Sequence, residues 1–336
     1  MQRLLKAGVI GVGNWGRNVL RCFAQSQRCS VEWVCDLDEK MLAKQAPTVP
    51  RATATMKVED VLDSDCDAVV IATAAVTHSE LARRALEAGK HVYVEKPLCL
   101  SARDAEQLLD LANARQRKLM VGHLLLYHPC VERLAEMIRR EELGAVYYMY
   151  TQRVNLGVVR QDENAWWSLA PHDISVVCHL FGSQPVAVSA SGQCYLQKGI
   201  EDVVFAMLRF ADGRIAHVHV SWLDPHKIRK MTVVGSERMV TFDDMEASEK
   251  IRVYDKGAEV KAGYESFAQS VAIRSGDITI PRVNSAEPLR IEAQHFVDCV
   301  LDNKPIRTDG ADGVRVVRTL EAGAESLRRG GEVVSI

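Results

Sequence analysis

The sequence predicts an α/β chain of two unlike domains, residues 1–122 as a doubly wound parallel sheet and residues 123–336 as an α+β domain built on antiparallel strands. Three observations carry this. Short, uniformly apolar runs alternate with helical patterns through the first 122 residues, as in a parallel sheet covered on both faces. A glycine-rich turn follows the first of those runs directly. Beyond residue 123 the texture changes to long strand-like runs joined by short turn signals.

In chain order, Leu4–Ile10 reads as a buried strand, and residues 14–25 as a helix with Val19, Leu20 and Phe23 on one side. Val31–Cys35 and Ala68–Ala72 are further strands. Residues 79–88 repeat apolar positions at i, i+4 (Leu81/Ala85, Ala82/Leu86), and Gly89 is placed to end that helix. His91–Val94 is a strand, Ser101-Ala102-Arg103-Asp104 opens a helix with a capping-box pattern, and Leu119–Val121 closes the series. In the second domain Pro129 starts a helix ending near Gly144. Val203–Phe210 and Arg214–Val220 flank Asp212-Gly213, and Met231–Val234 and Met239–Phe242 flank Gly235-Ser236, two hairpin signals. The segment from about 312 to 329 is helical.

Composition sets the outer bounds. With 336 residues, 47% hydrophobic and 26% charged, the chain is of ordinary globular type and long enough for two cores. Lys and Arg number 42 against 44 Asp and Glu, a net charge of -2, which gives neither nucleic acid nor an anionic membrane an electrostatic hold. No run approaches the roughly 18 uncharged apolar residues of a membrane span. The basic start lacks the apolar core of a signal peptide. The expectation is a soluble, cytoplasmic protein. Nine cysteines, none spaced C-x-x-C and several in apolar runs (Cys35, Cys178, Cys299), read as buried reduced thiols; no metal site is expected.

Gly11-Val12-Gly13-Asn14-Trp15-Gly16 is a G-x-G-x-x-G turn in the context that gives the motif meaning, after a strand and opening a helix. The first Gly permits the tight turn, the second admits a pyrophosphate to the backbone, and the third lets helix pack on strand. Free N–H groups and the positive end of the helix dipole face the phosphates. Asp36 ends the second strand, where an acid holds the adenosine ribose 2′-hydroxyl and repels a 2′-phosphate. With Asp38 close by and no Arg between Asp36 and Arg51, NAD is preferred over NADP. This is the signature of a Rossmann domain.

The fifth strand ends in Glu95-Lys96-Pro97, at the carboxyl edge where open parallel sheets bind ligands. There a Lys can reach a substrate hydroxyl. With Thr77-His78, Val121-Gly122-His123 and Trp167-Ser168-Leu169-Ala170-Pro171-His172-Asp173, the chain resembles the glucose–fructose oxidoreductase/inositol dehydrogenase (Gfo/Idh/MocA) family over essentially its whole length. The resemblance implies a Rossmann domain, then a large, open, mostly antiparallel sheet whose face forms a dimer or tetramer interface. It also implies nicotinamide-dependent chemistry on sugars or cyclitols. At the cofactor it places Gly11, Gly13, Asn14, Trp15, Gly16, Asp36, Thr73, His78, Glu95 and Lys96.

Arg153-Val154-Asn155-Leu156-Gly157, Ser221-Trp222, Pro225, Lys227, Arg229, Val234-Gly235-Ser236, Arg274–Asp277 and Glu287-Pro288-Leu289 resemble the nucleotide-sugar branch of that family. The branch implies NAD-dependent oxidation of C3 of UDP-N-acetylglucosamine, or of its 6-carboxylate. The 3-keto product then feeds a pyridoxal-phosphate aminotransferase of lipopolysaccharide or lipid A synthesis. Two other readings stand beside it: a free-sugar or inositol dehydrogenase, and a non-catalytic NAD-binding regulator, which would need neither Lys96 nor His172.

Oxidising a secondary alcohol needs a base, and the imidazole of His172 suits that transfer near neutral pH. Lys96 would donate to the reacting oxygen and steady its developing charge. The family's commoner Asp-x-x-x-His is broken here, because Ser168 stands four residues before His172. Ser168 can hydrogen-bond a hydroxyl but cannot take a proton, which leaves Asp173 as a possible helper. Tyr127, Arg153, Asn155, Lys227 and Arg229 are the further substrate candidates, Arg153 as a bidentate anion ligand and Lys227 with Arg229 for a pyrophosphate. His123 and His128 sit at the domain junction in sequence, and His179, His217 and His219 are assigned no chemistry.

Overall fold

Six parallel strands form the first sheet: β1 (Leu5–Ile10), β2 (Cys29–Cys35), β3 (Thr53–Thr55), β4 (Ala68–Ile71), β5 (His91–Glu95) and β6 (Leu119–Gly122). Their order, β3-β2-β1-β4-β5-β6, is that of the doubly wound dinucleotide fold. The structure is a computed structural model describing residues 3–260 and 271–336; Met1 and Gln2 of the basic N-terminal segment lie outside those residues. The crossovers carry helices α1 (Gly16–Gln25), α2 (Glu39–Gln45), α3 (Val58–Leu62), α4 (His78–Glu87) and α5 (Ala102–Ala114). β3, α2 and α3 are too short to show a period and were not foreseen.

The local signals act as their chemistry requires. Gly89 adopts φ +75°, and the Gly89 and Lys90 N–H groups donate back to the Leu86 and Ala85 carbonyls, closing α4. Ser101 accepts from the Asp104 N–H at the start of α5. Helix α1 begins at Gly16 rather than at residue 14, because Asn14 and Trp15 belong to the turn.

The chain divides into two units, residues 1–127 with 286–321, and residues 128–285 with 322–336. The division expected at 122 thus falls five residues later, and residues 286–321 lie with the first unit rather than the second. The cause is packing. Helix α8 (Pro288–Leu301) buries Phe296 against Phe23 of α1 and Tyr93 of β5, three rings in edge-to-face contact at 5.5–6.0 Å. Helix α9 (Gly310–Arg328) contains the second division, between Glu321 and Ala322.

The second unit holds α6 (Pro129–Arg139), α7 (Ala165–Phe181) and a nine-stranded sheet. Its strands are β7 (Val146–Val154), β8 (Ala187–Gln193), β9 (Val203–Arg209), β10 (Ile215–Ser221), β11 (Ile228–Gly235), β12 (Met239–Asp243), β13 (Ile251–Val260), β14 (Val271–Thr279) and β15 (Val334–Ser335). The order is β14-β13-β12-β11-β7-β10-β9-β8-β15, and β7 with β10 is the parallel pair in an otherwise antiparallel sheet. Both predicted hairpins form, β9–β10 turning on Gly213 (φ +87°) and β11–β12 on Gly235-Ser236. Along β7, Met149, Thr151 and Arg153 are buried while Tyr148 and Tyr150 are exposed, so one face is covered and the other open. α7 packs on β7 and β10.

All nine cysteines are free thiols, eight of them buried, and burial pushes Cys29 up to about 12. Among the described residues no helix is long and apolar enough to cross a membrane.

Candidate active site

The glycine turn sits at the carboxyl end of β1, with three glycines in three different surroundings. At Gly11 (φ +88°) a Cβ would lie 2.7 Å from the Ala72 backbone, and at Gly16 one would lie 2.1 Å from the Gly11 carbonyl oxygen. These two are closed by packing. Gly13 has nothing within 4 Å of where its Cβ would be, so its bare backbone faces open space. A side chain there would fill only the room a pyrophosphate takes, and the residues present fit a dinucleotide.

Asp36 follows β2. Its Oδ2 accepts from the Val12 N–H at 2.7 Å and its Oδ1 from the Asp38 N–H at 2.9 Å, which ties the acid to the glycine turn itself. Each oxygen keeps a lone pair for a ribose hydroxyl. Asp38 instead caps α2, accepting from the Lys40 and Met41 N–H groups.

After β4 the Thr73 and Thr77 hydroxyls are 2.7 Å apart. His78 is buried with Nδ1 2.8 Å from the Pro97 carbonyl and Nε2 3.2 Å from that of Thr73. Burial lowers its pKa against those carbonyls, and both ring nitrogens face backbone. With one N–H to give, His78 ties the loop after β4 to the loop after β5.

Glu95 ends β5, and the Lys96–Pro97 peptide that follows is cis. The Glu95 carboxylate is buried and accepts from the Tyr93 hydroxyl, the Lys96 N–H and the Trp15 indole. Trp15 belongs to the glycine turn, so this one carboxylate joins the turn to the Lys96 backbone.

Other candidates of the first unit are structural. The Tyr127 hydroxyl is 3.0 Å from Thr308 Oγ1, and the ring packs on His295 and under Arg307. Burial raises its phenol further, and it is a core residue rather than a ligand. His123 pairs with Asp312 at 2.7 Å, both buried.

In the second unit, α7 starts at Ala165 because Asn164 caps it, its Oδ1 accepting from the Trp167 N–H. His172 lies well inside this helix, directly after Pro171. Ser168 and His172 are one turn apart on a shared face, and His179 lies two turns beyond His172. The Ser175 hydroxyl donates to the His172 carbonyl at 2.9 Å.

Asp173 points to the sheet and accepts from Arg153 at 2.7 and 3.2 Å, a two-pronged pair buried at both ends. Arg153 as a substrate anion ligand and Asp173 as a helper base are thus corrected: each occupies the other. Alternation along β7 turns Arg153 inward with Met149 and Thr151. Arg229 lies directly opposite Arg153 in β11, half-buried, and burial with the like charge of Arg153 lowers its pKa. Asn155 follows β7 with its N–H donating to the Ser221 carbonyl, and Lys227 is exposed in the β10–β11 loop. His128 caps α6 and lies 3.4 Å from Asp244. His217 and His219 sit on the open sheet face, His219 stacked on Phe205 at 4.2 Å.

Sequence reasoning missed Tyr93, Glu292, Asp312 and Asp202. Asp202 is buried, and although burial would raise it, Trp222 and the Leu196 and Tyr195 N–H groups hold it below the ordinary range. Glu292 alone had a visible signal: it stands on the apolar stripe of α8 with Leu289, Ala293, Phe296 and Val297, all buried.

Sheet order, glycine turn and Asp36 together define an NAD-binding Rossmann oxidoreductase. Residues 5–123 match the NAD-binding Rossmann fold of the oxidoreductase family, and residues 131–241 match the GFO/IDH/MocA C-terminal domain. The chain belongs to the Gfo/Idh/MocA family. It is 27% identical over 314 residues to a UDP-N-acetylglucosamine 3-dehydrogenase of Acidithiobacillus ferrooxidans, covering 93% of this chain and 94% of that one. It is 24% identical over 282 residues to an inositol 2-dehydrogenase of Rhizobium meliloti, 79% of each chain. Among solved structures, GenD2 from gentamicin A biosynthesis in complex with NAD superposes with a TM-score of 0.82 at 27% identity, over 100% of this chain and 97% of that one. The A. ferrooxidans dehydrogenase gives 0.81 at 25%, over 97% and 98%.

Proposed function

We propose that the protein oxidises the C3 hydroxyl of a UDP-N-acetylhexosamine, UDP-N-acetylglucosamine first, to the 3-keto sugar. The observation that carries this is Lys96 at the carboxyl end of β5, fixed through Glu95 to Trp15 of the dinucleotide turn. The near-full-length likeness to a UDP-N-acetylglucosamine 3-dehydrogenase supports the substrate class. NAD, when bound, would supply the hydride acceptor. Gly11, Gly13, Asn14, Trp15, Gly16, Asp36 and Thr73 hold it. Lys96 hydrogen-bonds the reacting oxygen and favours its anionic form. His172 takes the hydroxyl proton. Ser168, one turn away, and Asn155 orient the sugar. Arg229 takes an anionic group of the substrate, a role its half-buried guanidinium fits because Asp173 already neutralises its neighbour Arg153. Lys227 adds charge from the adjoining loop.

The product is a ketone of the kind a pyridoxal-phosphate aminotransferase consumes, which suits amino-sugar synthesis for lipopolysaccharide. A second copy of the chain is the proposed occupant of the open sheet face, where Tyr148, Tyr150, Phe205 and Ile215 are exposed. Sedimentation of Tyr150→Glu, expected to shift the protein toward monomer, reads this.

The deciding assay follows NADH with UDP-N-acetylglucosamine, its 6-carboxylate and free myo-inositol, with an aminotransferase and glutamate removing ketone. Turnover on one UDP-sugar, lost in Lys96→Ala and His172→Asn, is the expected result. Turnover on inositol alone would favour the inositol dehydrogenase reading that the R. meliloti relative supports. NAD binding without turnover on any sugar would favour a regulator.

A further inference from the structure

Behind β5 lies a chain of three buried polar side chains that no role above uses in full. The Tyr93 hydroxyl is 3.1 Å from Glu95 Oε1 and 3.0 Å from Glu292 Oε2. A phenol has one proton, so it donates to one carboxyl and accepts from the other. One of the two acids must therefore be protonated.

The surroundings decide which. Glu95 accepts three further or shared donors, the Trp15 indole, the Lys96 N–H and Tyr93, and it faces the Lys96 charge. Glu292 is 0% exposed, the groups acting on it are Glu95 and Tyr93, and its Oε1 has no hydrogen-bond partner among the described residues. A bare oxygen is far cheaper on a neutral acid than on a buried carboxylate. Phe23 and Phe296 wall off the phenol, and β6 meets it with Gly122, where a Cβ would lie 2.8 Å from the hydroxyl.

We infer that Glu292 is a positioning residue: as a neutral acid it donates to Tyr93, Tyr93 donates to Glu95, and Glu95 is thereby held as the anion that links the glycine turn to Lys96. Burial pushes both carboxyls up, Glu292 well above its ordinary range with the Glu95 charge adding to it. At Glu95 the Trp15, Lys96 and Tyr93 groups pull the other way. The consequence for turnover rests on the role proposed for Lys96; the chain and its effect on dinucleotide binding do not.

Infrared spectra of the NAD-free protein at neutral pH test this, compared for wild type and Glu292→Gln, with NAD titrations of both and of Glu292→Ala. A protonated-carboxyl band present in wild type and absent from Glu292→Gln is expected. The Gln amide still donates to Tyr93, so that variant should bind NAD within about twofold of wild type. Glu292→Ala, folded by circular dichroism, should bind it on the order of tenfold more weakly, one lost charge-linked hydrogen bond. Absence of the band overturns the inference, as does equal NAD affinity in wild type and Glu292→Ala, or equal weakening in both variants. If the Ala variant does not fold, the band and the Gln variant decide. A band with intact NAD binding but no turnover on any sugar would sink the proposed function and leave this inference standing.

Discussion

Replacing Arg153 by Met tests the structural role its pairing with Asp173 gives that residue. In the structure its guanidinium makes two hydrogen bonds to Asp173, and the side chains are 7% and 3% exposed. Removing the cation strands a carboxylate between sheet and helix α7. Breaking a buried pair from one side costs about 3–5 kcal/mol. For a domain of this size each kcal/mol lowers Tm by about 2–4 °C, so a fall of roughly 6–20 °C is expected. Replacing both partners, Arg153→Met with Asp173→Leu, removes the stranded charge and should return stability to within about 1–2 kcal/mol of wild type. Urea and thermal unfolding by circular dichroism, run as a double-mutant cycle, measure both. If Arg153→Met lost less than about 1 kcal/mol while UDP-sugar affinity collapsed, the pair would not be structural. Arg153 would then be the anion ligand its sequence context suggested.

The glycine turn gives a pair of opposite outcomes: Gly13→Val should keep the protein folded and abolish measurable NAD binding by calorimetry, since the added side chain meets only the cofactor's space. Gly16→Ala should lower Tm instead, because its Cβ would fall 2.1 Å from the Gly11 carbonyl oxygen. At Asp244, His128 and Lys250 outweigh burial and hold the carboxyl down at about 2, against an ordinary value of 3.8. A depressed native pKa stabilises above the unfolded value and is lost as pH falls through the native one. Asp244→Asn should therefore cost about 2 kcal/mol at neutral pH, with the gap closing between about pH 4 and 2 in denaturation curves.

The sequence by itself determined most of the first sheet and the place where the dinucleotide binds. β4 and β6 are continuous apolar runs and β1, β2 and β5 are mostly apolar, as strands of a sheet covered on both sides are. The glycine turn was legible because its function is a backbone property: a positive φ at Gly11, a close approach at Gly16 and an open one at Gly13 need no distant partner to specify them. Gly89, Ser101, Pro129 and Gly213 announced their caps and turns for the same local reason.

What only the tertiary structure decided are pairings between residues far apart in the chain. Arg153 looks like an anion ligand until Asp173, 20 residues on, is found filling it. Tyr127 looks like a substrate ligand until Thr308 takes its hydroxyl, and residues 286–321 join the first unit through the ring cluster around Phe296 together with the Thr308 and Asp312 pairings. Glu292 is the clearest case. A glutamate on an apolar helix stripe hints that its charge is wrong for its place. That it keeps a proton depends on Tyr93, 199 residues away, standing between it and Glu95. Local sequence dictates backbone geometry and burial pattern; the charge a buried side chain carries is set by what the fold brings against it.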